Sequence, residues 1–419
     1  MASDIALAGA TMDKHVLQTL NTGCCIVGGG PAGMMLSLLL ARAGVSVMLL
    51  EAHKDFDRDF RGDTIHSSTL EVLDQLGLAN RLHDLPHTKI RDLRLVSRTG
   101  THPIAVFSRL PTRFPYIMMM PQPRFLEFLA DAAKKYPHFT LVMSANVQQL
   151  IEENGVIRGV RYKSPGGWVE VRATLTVATD GRFSRIRKLA ALEPVTQSPP
   201  MEVLWFRLPR KPDDRHDEAT VNVDRGRVVV LMAREHEWQV GYVFSTGDYQ
   251  RLKIEGVTAL QQSVAASVPW LADRVGLLND WRLVNVLSVE ANRLTRWYRS
   301  GLLLIGDAAH AMLPVGAVGI NCAIADAVEA ANVLAEPLRA HRVQDHHLAE
   351  VQRRRERVTR IIQRFQAVMQ KRITNRALAS AKPFSPPLAL RTILRVPGLR
   401  NIPARIMAFG VRRVRLNLK

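Results

Sequence analysis

A glycine-rich turn between two apolar strands constrains this chain more than any other feature. The turn is Gly28-Gly29-Gly30-Pro31-Ala32-Gly33, which the apolar residues 24–27 precede. A helical run at 34–43 and a second apolar strand ending at Glu51 follow it. In G-x-G-x-x-G, glycines let a pyrophosphate approach the N–H groups of a helix N-terminus, and the later acid can accept a ribose hydroxyl. The stretch predicts a dinucleotide-binding βαβ unit, with NAD and FAD both open.

Length and composition are those of a globular protein with two or three lobes. The 419 residues are 47% hydrophobic and 23% charged, and no apolar run reaches the roughly 18–20 residues that cross a bilayer. Residues 1–21 carry no basic segment typical of a signal peptide and are interpreted as a loosely ordered extension. Cys24, Cys25 and Cys322 show no metal-ligand spacing, which predicts free thiols, a cytoplasmic protein and no metal site.

Positive charge is concentrated at the end of the chain. Residues 339–419 contain 20 Lys and Arg but only 3 Asp and Glu, against a net charge of +19 for the whole protein. Because the remainder is nearly neutral, a nucleic-acid-binding protein is disfavoured. Two interpretations of the basic tail stay open. It forms a pair of amphipathic helices packed on the cofactor lobe, or it contacts a membrane surface.

The middle of the chain is rich in predicted strands. Alternating residues at 90–107 predict a hairpin, and the runs 203–207, 227–232 and 238–244 predict an antiparallel sheet in a separate lobe. A helix at 257–267 and a strand at 281–289 complete it. The expected fold class is α/β, a Rossmann-like lobe with an inserted antiparallel β-sheet lobe and C-terminal helices.

This layout predicts a discontinuous cofactor-binding domain. Its three pieces are residues 22–89, 108–190 and 291–340. The β-rich substrate lobe would comprise residues 90–107 and 191–290, followed by a basic helical region at 341–419.

Two further motifs lie far from the first. D-G-x-x-S-x-x-R occupies residues 180–187, and G-D-A-A-H at 306–310 is followed by P-x-G-x-x-G-x-N at 314–321. Asp307 would lie at the carboxyl end of a strand, where ligands of α/β sheets bind. The glycines at 316–319 let the backbone approach a flat ring, whose negative edge the next helix can stabilise.

In this order, the three motifs resemble the FAD-dependent aromatic hydroxylases, the para-hydroxybenzoate hydroxylase-like single-component flavoprotein monooxygenases. The resemblance covers residues 22–340. It implies bound FAD, NAD(P)H as a transient reductant, and O2 as co-substrate. A flavin hydroperoxide would then hydroxylate an aromatic, quinonoid or polyketide-like small molecule.

The resemblance also assigns residues to the cofactor. The glycines would meet the FAD pyrophosphate, Glu51 the adenosine ribose and Asp307 the ribityl chain. Pro314, Gly316 and the backbone up to Asn321 would line the flavin ring, and no catalytic side chain is assigned. The implied FAD contacts are Gly28, Gly30, Pro31, Ala32, Gly33, Glu51, Arg61, Arg124, Asp180, Asp307, Pro314, Gly319, Ile320 and Asn321.

Substrate contacts are expected from the inserted sheet. Trp205 and Arg207 would share one face of a strand, and so would Tyr242 and Phe244. Ordinary packing within the sheet is the alternative for all four. His310 is interpreted as a structural residue.

Two other functions stay open at this point. The first is a flavin-dependent reductase or dehydrogenase on the same scaffold. The second is a flavin-binding module without turnover, whose basic tail docks a partner.

Overall fold

The computed structural model describes residues 15–57, 63–97, 100–196, 201–214, 217–245, 247–371, 378 and 401–418. The strands in these ranges are β1 (Val16–Val27), β2 (Val47–Leu50), β3 (Thr64–Ile65), β4 (Thr88–Ile90), β5 (Asp92–Ser97), β6 (Gly100–Val106), β7 (Ile117–Met119), β8 (Phe139–Val142), β9 (Val147–Glu153), β10 (Val156–Ser164), β11 (Gly167–Ala178), β12 (Pro194–Thr196), β13 (Met201–Pro209), β14 (Glu218–Asp224), β15 (Arg227–Ala233), β16 (Glu237–Ser245), β17 (Asn285–Ser288), β18 (Asn292–Leu294), β19 (Tyr298–Arg299), β20 (Leu302–Leu304) and β21 (His310–Ala311). The α-helices are α1 (Pro31–Arg42), α2 (Ser67–Gln75), α3 (Ala79–His83), α4 (Gln122–Ala133), α5 (Arg185–Leu189), α6 (Asp248–Glu255), α7 (Val257–Ser267), α8 (Gly319–Arg339), α9 (Asp345–Met369) and α10 (Ile402–Phe409).

The first sheet, sheet I, has the strand order β19-β20-β11-β1-β2-β8, and β10 pairs with both β11 and β9. Strand β1 is parallel to both of its neighbours. Cys24 and Ile26 belong to one apolar core, whereas Cys25 and Val27 belong to another on the opposite face. Burial on both faces explains the continuous apolar sequence of this strand.

Strand β1 begins earlier than expected. It starts at Val16, and Gln18–Thr22 are in register with residues 169–173 of β11. Residues 16–21, interpreted from the sequence as a loose extension, are therefore part of sheet I. The first half of the strand is largely exposed and therefore carries polar residues such as Gln18 and Asn21. For this reason the apolar pattern did not predict it.

The second sheet, sheet II, has the strand order β17-β13-β16-β15-β14-β5-β6. The hairpin predicted at 90–107 is confirmed, since β5 and β6 pair antiparallel. The prediction of a strand at 281–289 is wrong for residues 281–284. Asp280 accepts a hydrogen bond from the Arg282 N–H at 2.8 Å and caps a 3-10 turn, so that the strand is only Asn285–Ser288.

The chain returns to sheet I through β19 and β20, and α8 follows them. The segment Val315–Arg339 is long and apolar enough to cross a membrane by length and composition, contrary to the expectation from the apolar runs. However, 67% of its most apolar window is buried in the fold, as in the core helix of a globular domain. Helix α10 packs against β6 and α2. Much of the predicted tail, residues 379–400, lies outside the described residues.

Candidate functional site

The first glycine turn is shaped by close backbone contacts. Gly28 has φ +107, and a Cβ there would lie 2.6 Å from the carbonyl oxygen of Thr179. A Cβ on Gly33 would lie 2.0 Å from the carbonyl oxygen of Gly28. In contrast, a Cβ on Gly30 would meet nothing within 4 Å. Gly28 and Gly33 are therefore needed for packing, whereas Gly30 borders open space at the start of α1.

The N-terminus of α1 is left available to an anion. Pro31 is the first helical residue and Ala32 the second, no side chain caps the helix, and its first turn holds no acid. Backbone N–H groups at such an end carry partial positive charge and suit a phosphate group. The space beside Gly30 is therefore open at an uncapped helix end, where an anion would be favoured.

Glu51 follows β2 and is buried beneath this turn. Its Oε2 accepts a hydrogen bond from the Gly29 N–H at 2.7 Å, and its Oε1 accepts one from the His53 N–H at 2.9 Å. The carboxylate therefore holds the glycine turn in place, and a carboxylate can accept further bonds from a ribose hydroxyl.

The second motif is a capping arrangement around α5. Asp180 accepts hydrogen bonds from the Ser184 hydroxyl at 2.5 Å and from the Ile186 N–H at 3.0 Å. Burial raises the pKa of Asp180 above its usual value, while these bonds oppose the rise. Arg187 donates to the carbonyl oxygen of Ala308 at 3.0 Å. Through this hydrogen bond the second motif holds the backbone of the third motif in place.

The third motif turns the end of β20 towards the first motif. Gly306 has φ +61, and a Cβ there would lie 3.3 Å from the Cβ of Ala32. Asp307 is half-buried in this turn, directly after β20. The N-terminus of α1 and the carboxyl end of β20 therefore meet, as ligand sites of α/β sheets do.

Asp326 of α8 holds this turn from inside the core. Its Oδ2 accepts hydrogen bonds from the Gly306 N–H at 3.0 Å and from His310 Nε2 at 2.6 Å. Its Oδ1 accepts one from Arg355 Nε at 2.6 Å. Burial opposes the ionisation of Asp326, but its contacts with His310 and Arg355 outweigh burial and lower the pKa of Asp326 to about 2. His310 thus has a structural partner.

The loop before α8 is the second open part of the site. Gly316 has φ +80 and Ala317 has φ +51, so the chain turns sharply after Pro314. A Cβ on Gly319, the first residue of α8, would meet nothing within 4 Å. No side chain caps α8, and no acid stands in its first turn. This end can face the anionic edge of a ring, with Ile320 half-buried behind it.

Asn321 uses its side chain to hold this loop to the segment before α2. Its Oδ1 accepts hydrogen bonds from the His66 N–H at 2.9 Å and from Thr69 Oγ1 at 2.7 Å. Thr64 Oγ1 donates to the carbonyl oxygen of Ala317 at 3.0 Å. The Asn321 side chain therefore supports the loop, and only its backbone is left for a ligand.

Two arginines were predicted to contact the cofactor. Arg61 lies outside the described residues. Arg124, in the first turn of α4, donates to the carbonyl oxygen of Pro86 at 2.7 Å. Asp63, the first described residue after this gap, accepts a hydrogen bond from the Gln122 N–H at 3.1 Å and therefore lies next to the start of α4.

Comparisons with known proteins agree with this geometry. A family model described as FAD binding domain matches residues 21–365. The chain is 36% identical to 6-methylpretetramide 4-monooxygenase of Streptomyces rimosus over 409 aligned residues. The alignment covers 94% of each protein. The chain belongs to the FAD-dependent aromatic hydroxylases.

Other members of this family are more distant. Para-nitrophenol 4-monooxygenase of Pseudomonas sp. (strain WBC-3) is 25% identical over 332 residues, 76% of this chain and 78% of that protein. The crystal structure of p-nitrophenol 4-monooxygenase PnpA from Pseudomonas putida DLL-E4 superposes with a TM-score of 0.75 at 20% identity, covering 93% and 97% of the two chains. That structure shows the same fold, an FAD-binding lobe with an inserted sheet.

In this hydroxylase, the four predicted substrate residues do not lie together. Trp205 is on the face of sheet II that packs with Leu313 and Val315, beside the loop before α8. Tyr242 and Phe244 are on the opposite face, in the core under α7. Tyr242 and Phe244 therefore cannot form one site with Trp205 on a single face of sheet II, because adjacent residues of a strand point to opposite faces. Their role in substrate binding stays a prediction.

Arg207 shares the face of Trp205 but belongs to a network of charges. Its Nε lies 3.1 Å from Glu237 Oε1, which also contacts Arg234 Nη1 at 2.9 Å. Arg234 Nη2 lies 2.8 Å from Asp63 Oδ2. The Arg207 guanidinium is therefore part of the group of ion pairs that connects sheet II to the FAD lobe.

Three residues that hold the motifs in place were not assigned from sequence. Thr179 Oγ1 lies 2.7 Å from the carbonyl oxygen of Gly28 and supports the first turn. Arg187 was visible as the last residue of the second motif. Asp326 was also recognisable in the sequence as a buried acid that needs a partner, because it is the single acid within the apolar run 323–328 of a helix.

Proposed function

We propose that this chain uses NAD(P)H and O2 to hydroxylate a polycyclic aromatic phenol of the polyketide type, with FAD as its bound cofactor. The observation that carries the proposal is the similarity along 94% of both chains to an enzyme that acts on 6-methylpretetramide. Bound FAD would supply the electron transfer and the reaction with oxygen. The residues of the chain would bind the reactants, orient them and exclude water.

The two open helix ends support FAD as the ligand. The pyrophosphate would lie beside Gly30 at the N-terminus of α1, and the ring beside Gly319 at the N-terminus of α8. Asp307, between the two ends, would bind the ribityl chain. Glu51 would accept the ribose hydroxyl while it holds Gly29.

The inner face of sheet II supports a polycyclic substrate. Trp205, Gly241, Val230, Val221 and Leu95 form one row across five consecutive strands. A Cβ on Gly241 would lie 2.8 Å from the Trp205 ring, so the indole extends over the glycine. With strands about 4.8 Å apart, the row is an apolar strip about 19 Å long. Such a strip matches several fused rings better than a single phenol.

A substrate panel tests this proposal. The FAD-loaded enzyme is mixed with NAD(P)H and either a tetracyclic aromatic polyketide or a monocyclic nitrophenol. We expect the tetracyclic compound to stimulate NAD(P)H oxidation and to gain one oxygen atom from labelled dioxygen. Product formed without label would favour the reductase alternative. Flavin without any turnover across the panel would favour a binding module.

The position of the cofactor is tested separately. We expect Asp307→Ala to be purified without flavin, because the variant loses a carboxylate at the junction of the two open helix ends. A variant that keeps its full flavin absorbance would refute the role of Asp307.

A further inference from the structure

A small apolar cavity lies behind the loop that precedes α8. It is lined by α2, α8, α9 and the segment around α10, and it opens to the surface beside Arg412; no strand of sheet II lines it among the described residues. Three separate apolar clusters meet here without filling the space between them. The apolar lining includes Val72, Val318, Cys322, Val358, Ile362 and Met407.

Apolar side chains make up most of the lining, and Ser68, Thr69, Asn321, Arg355 and the exposed Arg412 complete it. Arg355 Nε donates to Asp326, and Thr69 Oγ1 donates to Asn321 at 2.7 Å. Burial raises the pKa of the Cys322 thiol to about 12, so that the sulfur stays protonated and weakly polar. Small apolar cavities can take up apolar molecules such as xenon.

The size of the cavity limits what it can hold. Its interior has room for about two or three water-sized molecules. A polycyclic aromatic compound does not fit, and neither does a nicotinamide. A diatomic gas does.

The cavity adjoins the loop where we place the flavin ring. A Cβ on Gly316 would lie 3.6 Å from Val318 Cγ1 and 3.6 Å from Met407 Cγ. These two side chains also line the cavity, so they lie between the cavity and Gly316. The opposite side of the loop faces Trp205 and the apolar strip of sheet II.

We propose that this cavity binds dioxygen and delivers it to the flavin loop past Val318 and Met407. The inference rests on the proposed function, which consumes one O2 for each hydroxylation. Dioxygen is apolar and diatomic, as the lining and the size of the cavity require. Entry from the helix side lets the gas reach the loop while an organic substrate covers the sheet side.

Xenon and one matched pair of variants test the proposal. Val358 of α9 lines the cavity, whereas Val368 of the same helix is 51% exposed and does not line it. We expect xenon to occupy the cavity in crystals of the wild type and of Val368→Phe, and to be absent from Val358→Phe. The added ring of Val358→Phe takes the place of the gas.

The kinetic arm uses FAD-loaded enzyme that has been photoreduced and is then mixed with O2. We expect Val358→Phe to lower the second-order rate constant for flavin reoxidation severalfold, and Val368→Phe to leave it unchanged. Ile362→Phe serves the same purpose if Val358→Phe does not fold. A filled cavity with wild-type reoxidation, or a wild-type cavity that takes no xenon, would overturn the proposal.

This experiment is independent of the substrate. Photoreduction needs neither NAD(P)H nor an aromatic compound. A failed substrate panel beside cavity-dependent reoxidation would therefore count against the proposed substrate class and not against the oxygen site. Hydroxylation that proceeds normally in Val358→Phe at low O2 would count against the oxygen site alone.

Discussion

Arg234 and Asp63 form a buried ion pair between sheet II and the segment that precedes β3, with 2.8 Å between Nη2 and Oδ2. Burial raises the pKa of Asp63, and the charge of Arg234 opposes that rise. The carbonyl oxygen of Asp63 also accepts a hydrogen bond from the Met120 N–H at 2.9 Å. The pair thereby ties sheet II to the segment between β2 and β3 of the FAD lobe.

Removing the cation of this pair should be costly. Arg234→Met leaves the Asp63 carboxylate buried without its partner, and we expect a loss of about 3–5 kcal/mol in the free energy of unfolding. Chemical denaturation measures it. The double variant with Asp63→Asn should recover part of the loss. Arg251→Met, at an arginine that is 71% exposed, is the control and should change little. Equal effects at both arginines would contradict a special role for this pair.

Two glycines of the first motif should separate folding from cofactor binding. Gly33→Ala places a methyl group 2.0 Å from the Gly28 carbonyl oxygen, so we expect a loss of about 1–3 kcal/mol in stability. Gly30→Ala projects into open space and should leave the flavin-free protein as stable as the wild type. It should nevertheless lose flavin, because the methyl group occupies the place of the pyrophosphate. Thermal unfolding and flavin absorbance distinguish the two, and a fully flavinated Gly30→Ala protein would place the pyrophosphate elsewhere.

His66 should make stability depend on pH. Burial lowers the pKa of His66 to about 4, and its Nδ1 donates to the Met407 carbonyl oxygen at 2.7 Å. Between pH 6.5 and 4 the unfolded chain binds a proton that the folded chain does not, so stability falls as the pH is lowered. From pH 7 to 5 this amounts to about 2 kcal/mol.

His66→Asn is the test of that pH dependence. It keeps a donor near Met407 but cannot titrate. Urea unfolding at pH 7 and pH 5 should show a smaller loss in the variant than in the wild type. An equal loss in both proteins would assign the pH dependence to other groups.

The two faces of sheet II should respond differently to substitution. Trp205→Ala removes the largest side chain of the apolar strip, and we expect poorer substrate binding and more NAD(P)H oxidised without product. Tyr242→Phe loses the 2.8 Å contact with Ser263 Oγ and should cost about 1 kcal/mol in stability. Its ratio of product to NAD(P)H should stay that of the wild type. If Tyr242→Phe instead oxidised NAD(P)H without forming product, Tyr242 would be a substrate residue.

Sequence patterns were sufficient where a rule of local geometry applied. G-x-G-x-x-G between apolar strands predicted the first turn, because only glycine permits the contacts of Gly28 and Gly33. The helix predicted at 257–267 is α7, Val257–Ser267. Three motifs in order also indicated the hydroxylase family and its FAD lobe.

Other features depended on which surfaces meet in three dimensions. Alternation shows that Tyr242 and Phe244 share a face of a strand, but both faces of sheet II are apolar, so only the packing of α7 revealed which one is covered. Asp326 gained its role from Gly306, His310 and Arg355, which are distant in sequence. The chain by itself thus determined the cofactor turn and the family, because these follow from local backbone sterics. The tertiary structure alone decided which face of sheet II is covered by α7, which charges are buried and where a small cavity remains, because each arises where separate elements pack or fail to pack.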